Sequence, residues 1–159
     1  MCDTLIQKDL PDKNKPKYVY KRVQKVGEGK YISPVMGELM KLDVWKKAPK
    51  RPKLEENRYV DLVDVLKRPY SKANYVSSSS YTSHHDGMWG SFKTKGDAVR
   101  ADLINNFGKR EGSTVVRFPT LVVKCEVKGT VHASQYHGYD TYLCEYLKIV
   151  EEVTTPKKV

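Results

Sequence analysis

The clearest alternation of apolar and polar residues begins at Leu121. From there to residue 127 every second residue is apolar or a cysteine, and charged residues stand at positions 124, 126 and 128. A period of two is typical of a strand with one buried face, as in an antiparallel sheet. Gly129 predicts a bend or bulge in this strand, and residues 142–150 predict a final strand. The side chains expected on the buried faces are Leu121, Val123, Cys125, Val127, Leu143, Leu147 and Ile149.

Shorter strand signals occupy the N-terminal part of the chain. Residues 18–26 are rich in aromatic and β-branched residues, and Gly27-Glu28-Gly29 separates them from residues 30–33. Glycines between two such runs favour a β-hairpin. Alternation over residues 40–44 predicts a third strand, which follows a break at Pro34 and Gly37.

Several local signals agree on a helix that begins after Thr94. Thr94 is a good N-cap residue, and Asp97 stands three positions later, as in a capping box. Apolar residues then recur every four positions, followed by a glycine that fits the left-handed position after a helix. These residues are Val99, Leu103, Phe107 and Gly108. We therefore predict a helix whose apolar side packs on the alternating strand described above.

A shorter helix is predicted in residues 59–66, where apolar residues follow the spacing i, i+3, i+4, i+7 and Lys67-Arg68-Pro69 marks the end. The valines of this segment keep a strand as the alternative. Together these elements predict an α+β fold, with mainly antiparallel sheet of about five or six strands, one well-capped helix and one short helix. We expect one domain over residues 17–151, an extended arm before it (1–16) and a charged tail after it (152–159).

Positive charge is concentrated in the N-terminal third. The formal net charge is +10; residues 1–53 hold 14 Lys and Arg against 6 Asp and Glu, whereas residues 54–159 hold 15 against 13. Such a field attracts nucleic acid or an acidic protein surface. Two prolines in residues 46–53 predict an exposed basic loop without regular structure, and Trp45 beside it is a candidate for stacking on bases. The candidate anion-binding residues are Lys46, Lys47, Lys50, Arg51 and Lys53 of this loop, with Lys21 and Arg22.

The three cysteines show no CxxC spacing, so the sequence predicts neither a disulfide framework nor a zinc knuckle. We expect Cys125 and Cys144 to be reduced and structural. No apolar run approaches the roughly 18 residues that span a bilayer, and no signal-peptide pattern follows Met1. The expectation is an intracellular location without membrane insertion.

Candidate catalytic chemistry is confined to a polar segment. Serines at positions 77–80 lie close to His84-His85-Asp86, but the chain holds no nucleophile elbow such as GxSxG. The spacing of the four histidines matches no structural or catalytic zinc site. We therefore assign no catalytic residue, no metal site and no cofactor.

The order of short motifs over residues 18–150 resembles small uncharacterised proteins of phages and large DNA viruses. The motifs are Tyr20-Lys21-x-Val23, Lys30-Tyr31-x-Ser33, Leu42-x-x-Trp45, Phe92-x-Thr94-x-x-Asp97-Ala98, Cys125-x-Val127-x-Gly129-x-Val131 and a terminal Tyr-Leu strand. Some of those proteins have the shape of a minimal ADP-ribosyltransferase domain, whose active members bind NAD between two small sheets. The resemblance would assign Arg22, Ser33 and either Glu126 or Glu145 to an NAD cleft. The Glu-x-Glu pair of many active members is absent from this chain.

The sequence therefore predicts a non-enzymatic basic protein, viral by the resemblance, that binds nucleic acid or an acidic protein surface. One alternative is an ADP-ribosyltransferase-like enzyme or nucleotide-binding module. Another is a virion component whose basic face contacts nucleic acid or an acidic coat protein. A concave pocket with convergent polar groups would favour the enzyme, and a broad positive face would favour the binding protein.

Overall fold

A computed structural model describes residues 5–33, 38–49, 60–61, 88–101, 107–111, 114–136 and 138–156. These residues are mainly antiparallel β-sheet, with one short helix, α1 (Lys95–Arg100), and one 3-10 turn (Asp12–Asn14). The strands are β1 (Leu5–Asp9), β2 (Tyr18–Gly27), β3 (Lys30–Ile32), β4 (Leu39–Lys41), β5 (Lys46–Lys47), β6 (Val60–Asp61), β7 (Trp89–Phe92), β8 (Phe107–Glu111), β9 (Thr114–Arg117), β10 (Thr120–Tyr136) and β11 (Tyr139–Glu152).

Eight of these strands form one sheet that closes on itself. The long β10–β11 hairpin forms the centre of this sheet. On the other edge of β10, β2 pairs along the first half of the strand and β1 pairs along the second half. β7 pairs with β11 and also meets β2, which closes the ring. β3 and β4 continue from β2, and Leu42 forms a bridge to Ile149 of β11. The result is a small barrel, and β6, β8 and β9 form a separate three-stranded sheet.

The barrel interior is filled by the inward positions of its strands. Alternation along β2 and β10 sends one row of side chains inward, as period-two patterning requires. Trp89 and Tyr31 are the largest side chains of this core. The buried members are Val19, Val23, Tyr31, Met40, Ala48, Trp89, Leu121, Val123, Cys125, Val131, Cys144, Leu147 and Ile149. The predicted burial of Leu121, Val123, Cys125, Leu143, Leu147 and Ile149 is therefore confirmed, and Val127 packs partly buried against the same core.

One end of the barrel is held by a hydrogen-bonded ion pair. The Tyr31 hydroxyl donates to Glu152 Oε2, and Lys25 Nζ lies 2.9 Å from the same oxygen. Partial burial of Glu152 opposes ionisation, but the bonds from Tyr31 and Lys25 outweigh it and hold the pKa of this carboxyl below its usual value. Burial and the hydrogen bond to Glu152 raise the pKa of the Tyr31 hydroxyl. The contacts of Glu152 with Tyr31 and Lys25 thus join β3 and β2 to the end of β11.

The predicted helix begins where expected and ends early. Thr94 caps α1 by accepting a hydrogen bond from Asp97 N at 3.1 Å, which confirms the N-terminal signal. The helix ends at Arg100, however, and Phe107 and Gly108, which were predicted to end it, lie in β8. Val99 is 43% exposed, so its predicted burial is wrong; Ala98 and Ala101 are buried instead, against Phe92 and Val122 on the outside of the barrel. Leu103 lies outside the described residues.

The remaining expectations have mixed outcomes. The hairpin predicted for residues 18–33 is confirmed as β2 and β3, and Gly129 does lie in a bulge. Sheet predominates over helix, so the expected balance of an α+β fold is not reached within the described residues. The irregular loop predicted for residues 46–53 is wrong at Lys46–Lys47, which form β5. A helix at residues 59–66 is wrong for Val60–Asp61, which are β6, and the rest of that segment lies outside the described residues.

Candidate functional site

The outer surface of the β10–β11 hairpin carries lysines that lie close to aromatic rings. Because Cys125 and Leu147 point inward, the neighbouring positions on each strand face outward. Neighbouring segments add two rings and two lysines to this surface. We name it the lysine–aromatic face, and its members are Lys17, Tyr18, Trp45, Lys47, Lys124, Lys128, Tyr146 and Lys148.

Trp45 is positioned by a segment that runs along the edge of β11. Before it, Asp43 N donates to Ile149 O at 2.8 Å; after it, β5 pairs with Tyr146 and Leu147. The buried Trp89 indole donates to Lys46 O at 3.0 Å and so ties β5 to the core. Fixed backbone on both sides holds the half-buried Trp45 ring on the outer face of the hairpin.

Trp45 and Tyr146 share one ammonium group. Lys128 Nζ lies 4.6 Å from the Trp45 ring centroid and 5.2 Å from that of Tyr146. Lys148 Nζ lies 5.1 Å from the Trp45 ring, and Lys47 Nζ lies 5.9 Å from the Tyr146 ring. These distances fall within the range of cation–π attraction. The rings therefore hold three lysine charges at the surface of the sheet.

Tyr18 forms a second aromatic position on the same face. Lys124 Nζ lies 4.0 Å from its ring centroid, and Lys17 Nζ lies 5.3 Å away. The cross-strand register places Tyr18 beside Glu126, and Glu126 beside Lys148. Since Lys148 contacts Trp45, the two aromatic positions lie about three strand spacings apart, roughly 14 Å.

Glutamates partly neutralise the lysine–aromatic face and orient its lysines. Lys148 Nζ lies 3.4 Å from Glu126 Oε2, and Lys124 Nζ lies 3.7 Å from Glu151 Oε1. Lys47 Nζ lies 3.8 Å from Glu145 Oε2. Surface pairs of this kind contribute little to stability, about 0–1 kcal/mol each. With five lysines against three glutamates the face keeps a positive excess.

The bulge at Gly129 shapes the centre of this face. Residues 129 and 130 of β10 stand opposite the single residue Glu145 of β11. Gly129 has φ +80°, and a Cβ there would press on Glu145 Oε1 and lie 2.9 Å from Tyr146 Cδ2. Thr130 N donates to Glu145 Oε1 at 3.1 Å, and Lys15 Nζ donates to Gly129 O at 2.8 Å. Only glycine lets the strand pass this close to the Tyr146 ring.

The residues predicted from sequence to bind anions do not all lie together. Lys47 belongs to the lysine–aromatic face, and Trp45 is its central ring. The adjacent Lys46 instead pairs with Glu38 at 2.7 Å and donates to Leu39 O. The other members of the predicted loop, Lys50, Arg51 and Lys53, lie outside the described residues.

The two basic residues predicted on β2 are engaged elsewhere. Lys21 is 6% exposed and points into the barrel with Val19 and Val23, so it is not part of the basic surface. Its ammonium donates to Gly90 O at 2.7 Å. Arg22 Nη1 donates to carbonyls at the end of α1, including Val99 O at 2.8 Å and Ala101 O at 3.2 Å.

Most of the lysine–aromatic face lies outside the site predicted from the sequence. Tyr18, Lys124, Lys128, Tyr146 and Lys148 were not among the predicted site residues. Their signal is present in the alternation itself: on each strand they occupy the positions between buried residues, and the hairpin places the two rows side by side.

The barrel interior holds two thiols. Cys125 and Cys144 lie on neighbouring strands and are fully buried, which confirms the predicted burial of Cys125. Ser91 Oγ lies 3.7 Å from Cys144 Sγ and donates to Tyr142 O at 3.0 Å. Burial raises the pKa of each thiol to about 12. At neutral pH both groups are therefore neutral thiols, which are poor nucleophiles.

Arg22 does not lie beside Glu126 or Glu145, the two glutamates that the resemblance assigned to an NAD cleft. Arg22 is opposite Val122 on β10, and Glu126 lies four residues further along that strand, about 13 Å away. Glu126 pairs with Lys148, and Glu145 is engaged at the bulge. Within the described residues no group of three His, Cys, Asp or Glu side chains could hold a metal ion. No helix in the same ranges is long and apolar enough to cross a membrane.

Comparison with models of protein families, with curated proteins and with solved structures finds no match to this chain.

Proposed function

We propose that this protein binds nucleic acid through the lysine–aromatic face. The observation that carries the proposal is the pair of aromatic positions, Tyr18 and Trp45, each in contact with two lysine ammonium groups. Surfaces that hold a nucleic-acid backbone combine basic groups with rings on which bases stack. The face joins Trp45 and Lys47 from the basic N-terminal third to lysines of the C-terminal hairpin.

Counterion release favours a nucleic acid over an acidic protein as the partner of this face. Each phosphate that a lysine neutralises releases a condensed counterion, which favours binding to a polyanion of high charge density. An acidic protein surface offers no comparable release and no bases for the rings. Lys50 and Arg51 follow β5 closely in sequence and remain candidate contacts of the same partner.

The test is a fluorescence-anisotropy titration of labelled single-stranded and duplex oligonucleotides of about 12 nucleotides, a length within the site size of one small barrel, at several salt concentrations. A Lys124→Ala/Lys148→Ala variant should bind more weakly, and its slope of log affinity against log salt should fall by roughly 0.7 per lost phosphate contact on single strands. Lys93→Ala/Lys95→Ala, which removes two exposed lysines at the start of α1, is the matched control and should behave like the wild type.

A second variant examines the basic loop. Lys50→Glu/Arg51→Glu should weaken binding by a similar factor for all sequences, because phosphate contacts carry no base information. No binding of either oligonucleotide at low salt, or binding that the Lys124 and Lys148 substitutions leave unchanged, would refute the proposal. An acidic protein surface would then be the better candidate partner.

A further inference from the structure

We infer that Trp45 and Tyr146 form a subsite for one unpaired base of a single strand, and that Lys128, which now lies against both rings, moves onto a neighbouring phosphate when the base enters. This inference rests on the proposed function and names its substrate class. It follows from the shared ammonium at 4.6 and 5.2 Å from the two ring centroids. Stacked aromatic groups have centroids about 4.5–7 Å apart. A base in the place of the ammonium would therefore contact both rings.

Of the three lysines that contact Trp45 or Tyr146, Lys128 can leave most easily. Lys148 is held by Glu126 and Lys47 lies near Glu145, whereas the contacts of the Lys128 ammonium within the described residues are the two rings. Its side chain is exposed and ends in a compact charge on a flexible four-carbon stem. Departure to a phosphate exchanges a cation–π contact for a charge-assisted hydrogen bond.

The rings themselves are held in place for a ligand. β5 pairs with β11 directly after Trp45, and Tyr146 lies against the Gly129 bulge. Rings fixed in this way lose little conformational freedom when a base stacks on them. By contrast, a base inside a duplex already has both faces covered, and extruding it costs a few kcal/mol. The subsite therefore favours single strands.

Emission of the two tryptophans tests the inference directly. Trp89 is buried in the barrel, so a base that stacks at the subsite should quench Trp45 and leave Trp89 unchanged. The probes are an oligothymidine of about 12 nucleotides, an abasic strand of equal length and a duplex. We expect quenching with oligothymidine alone, and none in a Trp45→Phe variant.

Variants separate the ring from the charge. Tyr146→Leu should weaken oligothymidine binding by about 5- to 150-fold and leave abasic-strand binding unchanged. Tyr146→Phe, which keeps the aromatic ring, should bind oligothymidine like the wild type. Unchanged abasic binding also shows that the leucine variant is folded. Lys128→Met should keep the quenching at saturation and lower the salt slope by roughly 0.7.

The possible outcomes distinguish the two proposals. If oligothymidine and the abasic strand bind equally well without quenching, the base subsite is refuted and the proposed polyanion surface stands. If Lys128→Met abolishes quenching, or leaves the salt slope unchanged, the displacement of Lys128 is wrong. If no strand binds, the proposed function itself fails.

Discussion

Replacement of Gly129 by alanine should destabilise the protein through two separable costs. A residue with a side chain in the left-handed region costs about 1–2 kcal/mol, and Gly129 has φ +80°. The added Cβ would also press on Glu145 Oε1 and lie 2.9 Å from Tyr146 Cδ2, an overpacking that costs about 1–3 kcal/mol. The sum is about 2–5 kcal/mol, which lowers the midpoint of thermal unfolding by roughly 4–20 °C for a chain of this size.

Gly138 provides the matched control for this experiment. Its φ is +85°, but a Cβ there meets no atom within 4 Å. Gly138→Ala should therefore show the backbone cost alone, about 1–2 kcal/mol. Urea and thermal unfolding followed by circular dichroism would measure both variants. Equal losses for the two substitutions would show that close packing at the bulge contributes nothing, and a larger loss at Gly138 would contradict the reasoning altogether.

Three further predictions concern the core and its titratable groups. Leu147→Ala should cost about 2–5 kcal/mol in urea unfolding, because the side chain is fully buried, whereas Val44→Ala, at an exposed position, should change stability by less than about 0.5 kcal/mol. In a Cys2→Ser variant at pH 8, a thiol reagent should modify neither Cys125 nor Cys144 until the protein is unfolded; rapid labelling of native protein would contradict their burial and raised pKa. The pKa of Glu152 is lowered in the folded state, so this carboxylate should stabilise the fold above the pKa of an unfolded glutamate, about 4.3, and should lose that effect as the pH falls below it. The stability difference between wild type and Glu152→Gln should therefore shrink in acid. A difference that grows in acid would contradict the predicted sign.

Local pattern predicted the start of α1 but not its end, and the reason is a contact across the chain. In a longer helix, carbonyls of Ala98 and Val99 would accept hydrogen bonds from backbone N–H groups four residues later. Arg22 Nη1 takes these carbonyls and that of Ala101 instead. The spacing of Val99, Leu103 and Phe107 carries no information about an arginine more than 70 positions away. Phe107 and Gly108, at the end of the predicted helix, belong to β8, which pairs with β9.

The candidate site shows a different limit of the sequence. The clustering of charge predicted anion-binding residues in the 46–53 loop and at Lys21. The alternation of β2, however, already places Lys21 with the inward Val19 and Val23. The period-two pattern, rather than the charge, decides the orientation of Lys21, because its ammonium donates to a carbonyl inside the barrel. The register of β10 and β11 decides which outward lysine contacts which ring, and that register includes two bulges. Gly129 signalled one of them, while the other lies opposite Lys124 and Cys125 without a glycine.

The pairing of the first strands with the last ones has a consequence for how the chain folds. Tyr31 and Glu152, which tie one end of the barrel, are 121 positions apart, and Lys15 reaches Gly129 across 114. Domains dominated by such distant contacts fold in milliseconds to seconds. During synthesis β2 therefore emerges long before β10 exists, with its edge unpaired. Charged residues on an open strand oppose aggregation, so the lysines and arginine of β2 also protect the nascent chain until its partner strand arrives.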